Sequence, residues 1–171
     1  MASEDGADKK KRCKILSLFM LILVLVCAGV MYAQPVEDGD LWFHLAYAKF
    51  MIQNHTLIPD HTIYSWTPAS GLEIYCAWIP ELILYALYEK GGLPLLFALR
   101  YLCLAVFILL VILFAKRAGI LWHPLTWLIC LTGVLMSCAG LLIKPEMLSY
   151  VFMSLMVFLW LSIKSHPRRA W

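Results

Sequence analysis

Asp38 and Asp40, separated by one glycine, sit beside Glu37 and make the densest acidic point of the chain. Three carboxylates this close repel one another where the dielectric is low. A divalent cation, a basic partner or a proton must offset them. A D-x-D pair can hold Mg²⁺ or Mn²⁺ through oxygen ligands, and one member can serve as a general base. The plainer reading of Asp40 is an N-cap, because an apolar helix pattern follows it. Capping leaves Asp38 and Glu37 unexplained.

Four further side chains belong with these acids. His44 lies one helical turn after Asp40, on the same face, as a metal ligand, a phosphate contact or a simple partner of Asp40. Glu81 follows Trp78 and Pro80 and opens a second short apolar stretch. First-turn acids are favoured there by the helix dipole. Arg100 falls about two turns into an apolar run. It either snorkels to the membrane surface or binds a lipid phosphate. Lys144 is the only base in the turn before the last apolar run, placed for phosphate or for ordinary headgroups. His55 and His61 flank a Pro-Asp turn and read as loop residues, and Asn54-His55-Thr56 is a glycosylation sequon.

The elements that must position these groups are apolar helices. Of the 171 residues, 63% are hydrophobic and only 15% charged, against about 25% charge in soluble domains. The apolar residues fall in long runs, the pattern of bilayer-crossing helices rather than of a β-barrel. The chain therefore reads as an all-α integral membrane protein. Spans are expected over about 15–33, 94–115, 120–138 and 147–163. Residues 1–14 form a basic tail, expected to be unstructured over 1–12, and 164–171 a second basic tail. The first run is longer than a signal-peptide core and reads as an uncleaved anchor.

The outer loop 34–92 carries two short helices, at 41–52 and 78–90. In the first, Leu41, Leu45, Ala48 and Ile52 make an apolar stripe for an interfacial helix. The second is too short to cross and carries Glu81, Glu89 and Lys90. Gly91-Gly92 is expected to end it. Trp42, Trp66, Trp78, Tyr64 and Tyr75 suit the interfacial depth.

Charge sets the orientation. With the N-terminus in the cytoplasm, Lys9, Lys10, Lys11, Arg12, Lys14, Lys116, Arg117, Lys164, Arg168 and Arg169 lie inside. Glu37, Asp38, Asp40, Asp60, Glu73, Glu81, Glu89 and Glu146 lie outside. The basic tract thus reads as an orienting signal, with no nucleic-acid partner. The six cysteines contain no C-x-x-C pair, so neither zinc nor a disulfide framework is expected.

Three stretches, DGDLWFHLAYAKFMIQNHTLIPDHTIYSWTPASG, AWIPELILYALYEKGG and KPEMLSYVFMSLMVFLWL, resemble the N-terminal part of bacterial multi-pass proteins of the C-type glycosyltransferase (GT-C) architecture. The resemblance covers roughly residues 15–163 and is most specific over 38–92. It implies transfer of a sugar from a polyprenyl-phosphate donor at the outer face of a bacterial cytoplasmic membrane. It places the family's acid on Asp38 or Asp40, as base or metal ligand. Lys144, Arg100 and His44 fall to the phosphate and lipid, and Glu81 and Trp42 support them. Lys144 stands where arginine is usual, which keeps the charge and loses the bidentate fork. Such enzymes run to several hundred residues, so the chain reads as a truncated module, inactive alone, or as part of a split enzyme completed by a further membrane chain. The rival reading is a non-catalytic small membrane subunit that binds lipid or a partner protein. A transporter half fits less well, because the spans lack a matched pair of broken helices.

Overall fold

A computed structural model of the chain describes residues 2–35, 39–57, 77–136 and 142–165. Among these residues all regular structure is helical: α1 (Ala2–Tyr32), α2 (Asp40–Gln53), α3 (Trp78–Arg117), α4 (Pro124–Met136) and α5 (Glu146–Ser165). Three stretches are long and apolar enough to cross a membrane: Asp8–Tyr32, Trp78–Arg117 and Glu146–Ile163. The expected third span is represented by α4, only 13 residues long. Residues 120–123, expected inside that span, belong instead to the turn that precedes it. Residues 137 and 138 lie outside the described set.

The helices form two compact units. One contains α1, α3 from Tyr101, α4 and α5 from Val151; the other contains α2, α3 up to Arg100, and Ile143–Tyr150. In the first unit α1 packs against α4. The buried residues of α1 are Ser17, Val24 and Ala28, spaced to share one face. Small residues on such a stripe let helix backbones approach closely. The Tyr101 hydroxyl donates to the Gly29 carbonyl at 3.2 Å.

Helix α1 begins at Ala2, so the basic segment expected to be unstructured continues the apolar helix. Once the apolar run is helical, each further residue costs no new nucleation. Arg12 and Asp8, one turn apart, form an ion pair at 2.7 Å. Lys9, Lys10, Lys11, Arg12 and Lys14 are all exposed. At the helical repeat they form a basic collar around the helix.

Helix α3 is 40 residues long, which as one straight rod would measure about 60 Å, twice a bilayer's hydrocarbon core. It is not one rod. Gly92 has φ 62° and ψ −155°, outside the helical region. That conformation is essentially restricted to glycine. The Gly91-Gly92 pair therefore ends one helical stretch, as expected, and a second begins after the kink. Pro94 falls in the first turn after the break, where its missing N–H costs little. Gly92→Ala is expected to cost about 1–3 kcal/mol, read as a lower unfolding midpoint of the chain in detergent. Gly133→Ala is the control. It lies inside α4, and an added methyl there meets nothing within 4 Å, so it should be neutral or slightly stabilising.

The α3–α4 turn is closed by local hydrogen bonds. Gly119 takes φ 71°, and the Ile120 N–H donates back to the Ala115 carbonyl at 2.9 Å, the Schellman pattern. Trp127, almost wholly buried, donates its indole N–H to the Leu121 carbonyl at 2.8 Å. The same closing pattern ends α2. Thr56 N–H donates to the Met51 carbonyl at 3.1 Å, and His55 takes the left-handed position with φ 51°. His55 thus has a backbone role. His61 lies outside the described residues.

Candidate functional site

The second unit has an apolar core of Leu41 and Leu45 from α2, Leu84 and Leu96 from α3, and Ile143. Its α2 face is Leu41, Leu45, Tyr47, Ala48 and Met51. Ile52, expected in that stripe, is 49% exposed. The buried face is rotated toward Tyr47 and Met51. This core fixes the backbone from which the polar side chains project.

Asp40 is the first residue of α2. The N-cap is Gly39, with no side-chain cap hydrogen bond. The expectation that Asp40 caps the helix is therefore corrected. Being one residue inside, its carboxylate interacts with the helix dipole and is directed elsewhere. Lys144 Nζ donates to Asp40 Oδ2 at 2.6 Å, across 104 residues of sequence. Lys144 is held from both sides, because Ile143 and Pro145 are buried. Its carbonyl accepts the Met147 N–H at 3.1 Å. The Asp40 side chain is 60% exposed and that of Lys144 27%. The pair thus lies at a surface, with rigid backbone behind it.

One turn along α2, His44 Nδ1–H donates to Glu81 Oε1 at 2.6 Å. Helical spacing suggested Asp40 as its partner; the partner shown here comes from α3. Glu81 has no solvent exposure. A carboxylate buried in an apolar setting costs several kcal/mol unless it is matched, and the imidazole offsets part of that cost. Trp42 is half exposed and packs edge-on against Tyr88 at 5.9 Å, a second clasp between α2 and α3.

Arg100 is buried in the chain. It is 3% exposed, with its guanidinium carbon 5.8 Å from the centre of the Phe97 ring. Asp38 lies outside the described residues, as do Trp66, Tyr64 and Tyr75. Among the described residues no three His, Cys, Asp or Glu side chains come together as a metal site. The cationic partner shown for Asp40 is an ammonium. The described donors do not build a divalent-cation centre.

The structure thus brings Asp40, His44, Glu81 and Lys144 into one unit as two pairs sharing α2. Sequence reasoning named all four but not their pairing. It missed Tyr88 and the anchoring of Lys144 by Ile143 and Pro145. The apolar flanks of Lys144 were the available signal. Compared with protein families, with curated proteins and with solved structures, the chain finds no match.

Proposed function

We propose that the second unit is the donor-binding module of a glycosyltransferase that takes sugar from a polyprenyl phosphate at the outer membrane face. The observation that carries the reading is the meeting of Asp40 and Lys144 at 2.6 Å, one turn from the His44–Glu81 pair. A basic group for phosphate and a carboxylate for a proton are both needed in such a transfer. In the reaction the bond between the sugar's anomeric carbon and the phosphate oxygen breaks. The phosphate leaves with the electron pair, and Lys144 balances its charge. The acceptor hydroxyl forms the new bond, and its proton passes to Asp40.

The fold supports the geometry of this reading. Residues 78–91 are too short to cross, at about 21 Å, whereas 93–117 reach about 37 Å and suffice. The α2 helix, 14 residues long, is likewise too short. Both then lie at the membrane surface, at the depth of a lipid phosphate. The N-terminus is cytoplasmic and the membrane is the bacterial cytoplasmic membrane in this proposal. The second reading is a non-catalytic membrane subunit. It is favoured by the same pairs, which join α2 to α3 and to the segment before α5 and are sufficient as structural ties.

The test uses membranes from cells producing the chain, supplied with a radiolabelled polyprenyl-phosphate sugar. Transfer that depends on the chain supports the enzyme. Donor retention without transfer supports the donor-binding module, inactive without a further membrane chain; no retention favours the subunit. Reporters fused after Lys90 and after Arg117 should read opposite sides of the membrane; the same side for both overturns the topology.

A further inference from the structure

Arg117, in the last turn of α3, lays its guanidinium over the Phe158 ring of α5, with the guanidinium carbon 4.4 Å from the ring centre. Its Nη1–H donates to the Ser162 hydroxyl. That hydroxyl in turn donates to the Phe158 carbonyl at 2.6 Å, so its oxygen accepts from the guanidinium. A surface arginine without such partners samples many rotamers. This one is held by a ring on one face and a hydroxyl at one edge. It is nevertheless exposed, and a guanidinium has five N–H donors, of which Ser162 takes one. Leu113 and Phe114, one turn earlier on the same face of α3, are exposed and apolar.

The basic collar of α1 belongs to the same unit. Under the topology proposed above, on which this inference rests, α1 and the second stretch of α3 cross in opposite directions. The Tyr101 hydroxyl meets the Gly29 carbonyl and sets their relative height. From Tyr101 to Arg117 the helix advances about 24 Å, and from Gly29 back to Lys14 it covers about 23 Å. Arg117 and Lys14 therefore lie at one depth. Lys9 is about 8 Å beyond Lys14, so the collar spans a headgroup layer of about 5–8 Å. Asp8 lies past the collar and is engaged with Arg12; Glu4 and Asp5 come further out along α1.

We propose that these helix ends bind an anionic phospholipid of the cytoplasmic leaflet. Arg117 grips the phosphate through paired N–H groups, as its planar fork allows. Leu113 and Phe114 offer the acyl chain a surface beneath the headgroup, which a soluble polyanion could not use. The collar and Lys116 select a headgroup of net negative charge. A neutral phospholipid presents the same phosphate, but its own cation is repelled by the collar. Orientation at insertion needs only the charges. A bound lipid needs one of them fixed in place, and Phe158 with Ser162 supplies that.

The experiment reconstitutes the full chain in phosphatidylcholine bilayers with a trace of spin-labelled phosphatidylglycerol or spin-labelled phosphatidylcholine. The motionally restricted fraction of each label gives their relative association with the chain. Phosphatidylglycerol is expected to be favoured at least about fivefold at low salt, the worth of one cation near such a surface, and less as salt rises. Arg117→Lys and Phe158→Leu keep every charge and so leave the orientation alone. Each is expected to remove at least about half of the preference, the first by losing the fork and the second by losing the ring. Lys11→Gln with Lys14→Gln should lower it as well. Equal association of the two lipids with the unaltered chain overturns the proposal. A preference that survives both Arg117→Lys and Phe158→Leu belongs to diffuse charge and overturns the site. A preference lost with Arg117→Lys but untouched by the collar variant overturns the shared site. The reporters after Lys90 and Arg117 read the topology independently, so a failed site and a failed topology are told apart.

Discussion

In the complete enzyme, transfer by the Asp40→Asn variant is expected to fall at least about a hundredfold, with the protein still folded and inserted. A positioned general base contributes typically 10²–10⁴ in rate. Asparagine keeps the shape of aspartate and accepts a hydrogen bond from Lys144, but it takes no proton. The structural cost is small, because Asp40 is not the cap of α2. The helix-dipole contribution of a first-turn acid is about 0.3–1 kcal/mol. Rate and stability thus separate. The measurement is initial transfer rate in membranes holding the chain within the complete enzyme, normalised to inserted protein. Near-normal transfer would reduce Asp40 to a structural partner of Lys144 and remove it as the base.

The second large effect concerns stability. His44→Leu is expected to destabilise the second unit by about 3 kcal/mol, since it removes one member of a buried pair and leaves the Glu81 carboxylate in place. Glu81 has no exposure through which water can replace the imidazole. Glu81→Leu alone should cost less, because the His44 side chain retains some access to solvent, being 12% exposed. The double variant His44→Leu with Glu81→Leu should recover much of the loss, as buried pairs replaced by apolar groups often do. Denaturation of the four proteins in one detergent gives the coupling directly. Additive costs with no recovery would show that the pair contributes nothing beyond packing.

The contrast between these pairs shows what was legible in the sequence. Apolar run length gives helices at α1, α3 and α5, because a bilayer solvent demands length and little else. Glycine chemistry marks Gly91-Gly92 as a break, since only glycine takes φ 62° with ψ −155° at low cost. The break at Gly92 separates two helical stretches, as the glycine pair predicts. Local spacing proposes Asp40 as the partner of His44. The ring instead reaches Glu81, 37 residues away. Contacts across helices depend on which faces meet, and α2 has an apolar face that periodicity locates only to within a residue or two, as Ile52 shows. Lys144 was recognisable as a lone base near the surface. Its meeting with Asp40, 104 residues distant, is a property of tertiary packing around Leu41 and Ile143.

The basic collar of α1 bears on the history of each molecule as well as its resting state. Lys9, Lys10, Lys11, Arg12 and Lys14 are exposed on a helix that runs unbroken into the apolar segment. Each cation at the centre of a bilayer costs about 2.5–3.5 kcal/mol on insertion scales. Dragging all five across is a barrier on the order of 15 kcal/mol, before the Asp8 carboxylate that accompanies Arg12 is counted. Because the collar is helical, its charges cannot cross one at a time along a slack chain; they move as a rigid plug. Whichever side receives the N-terminus during synthesis keeps it. In a bilayer, such a collar would fix the orientation of α1 at the moment of insertion.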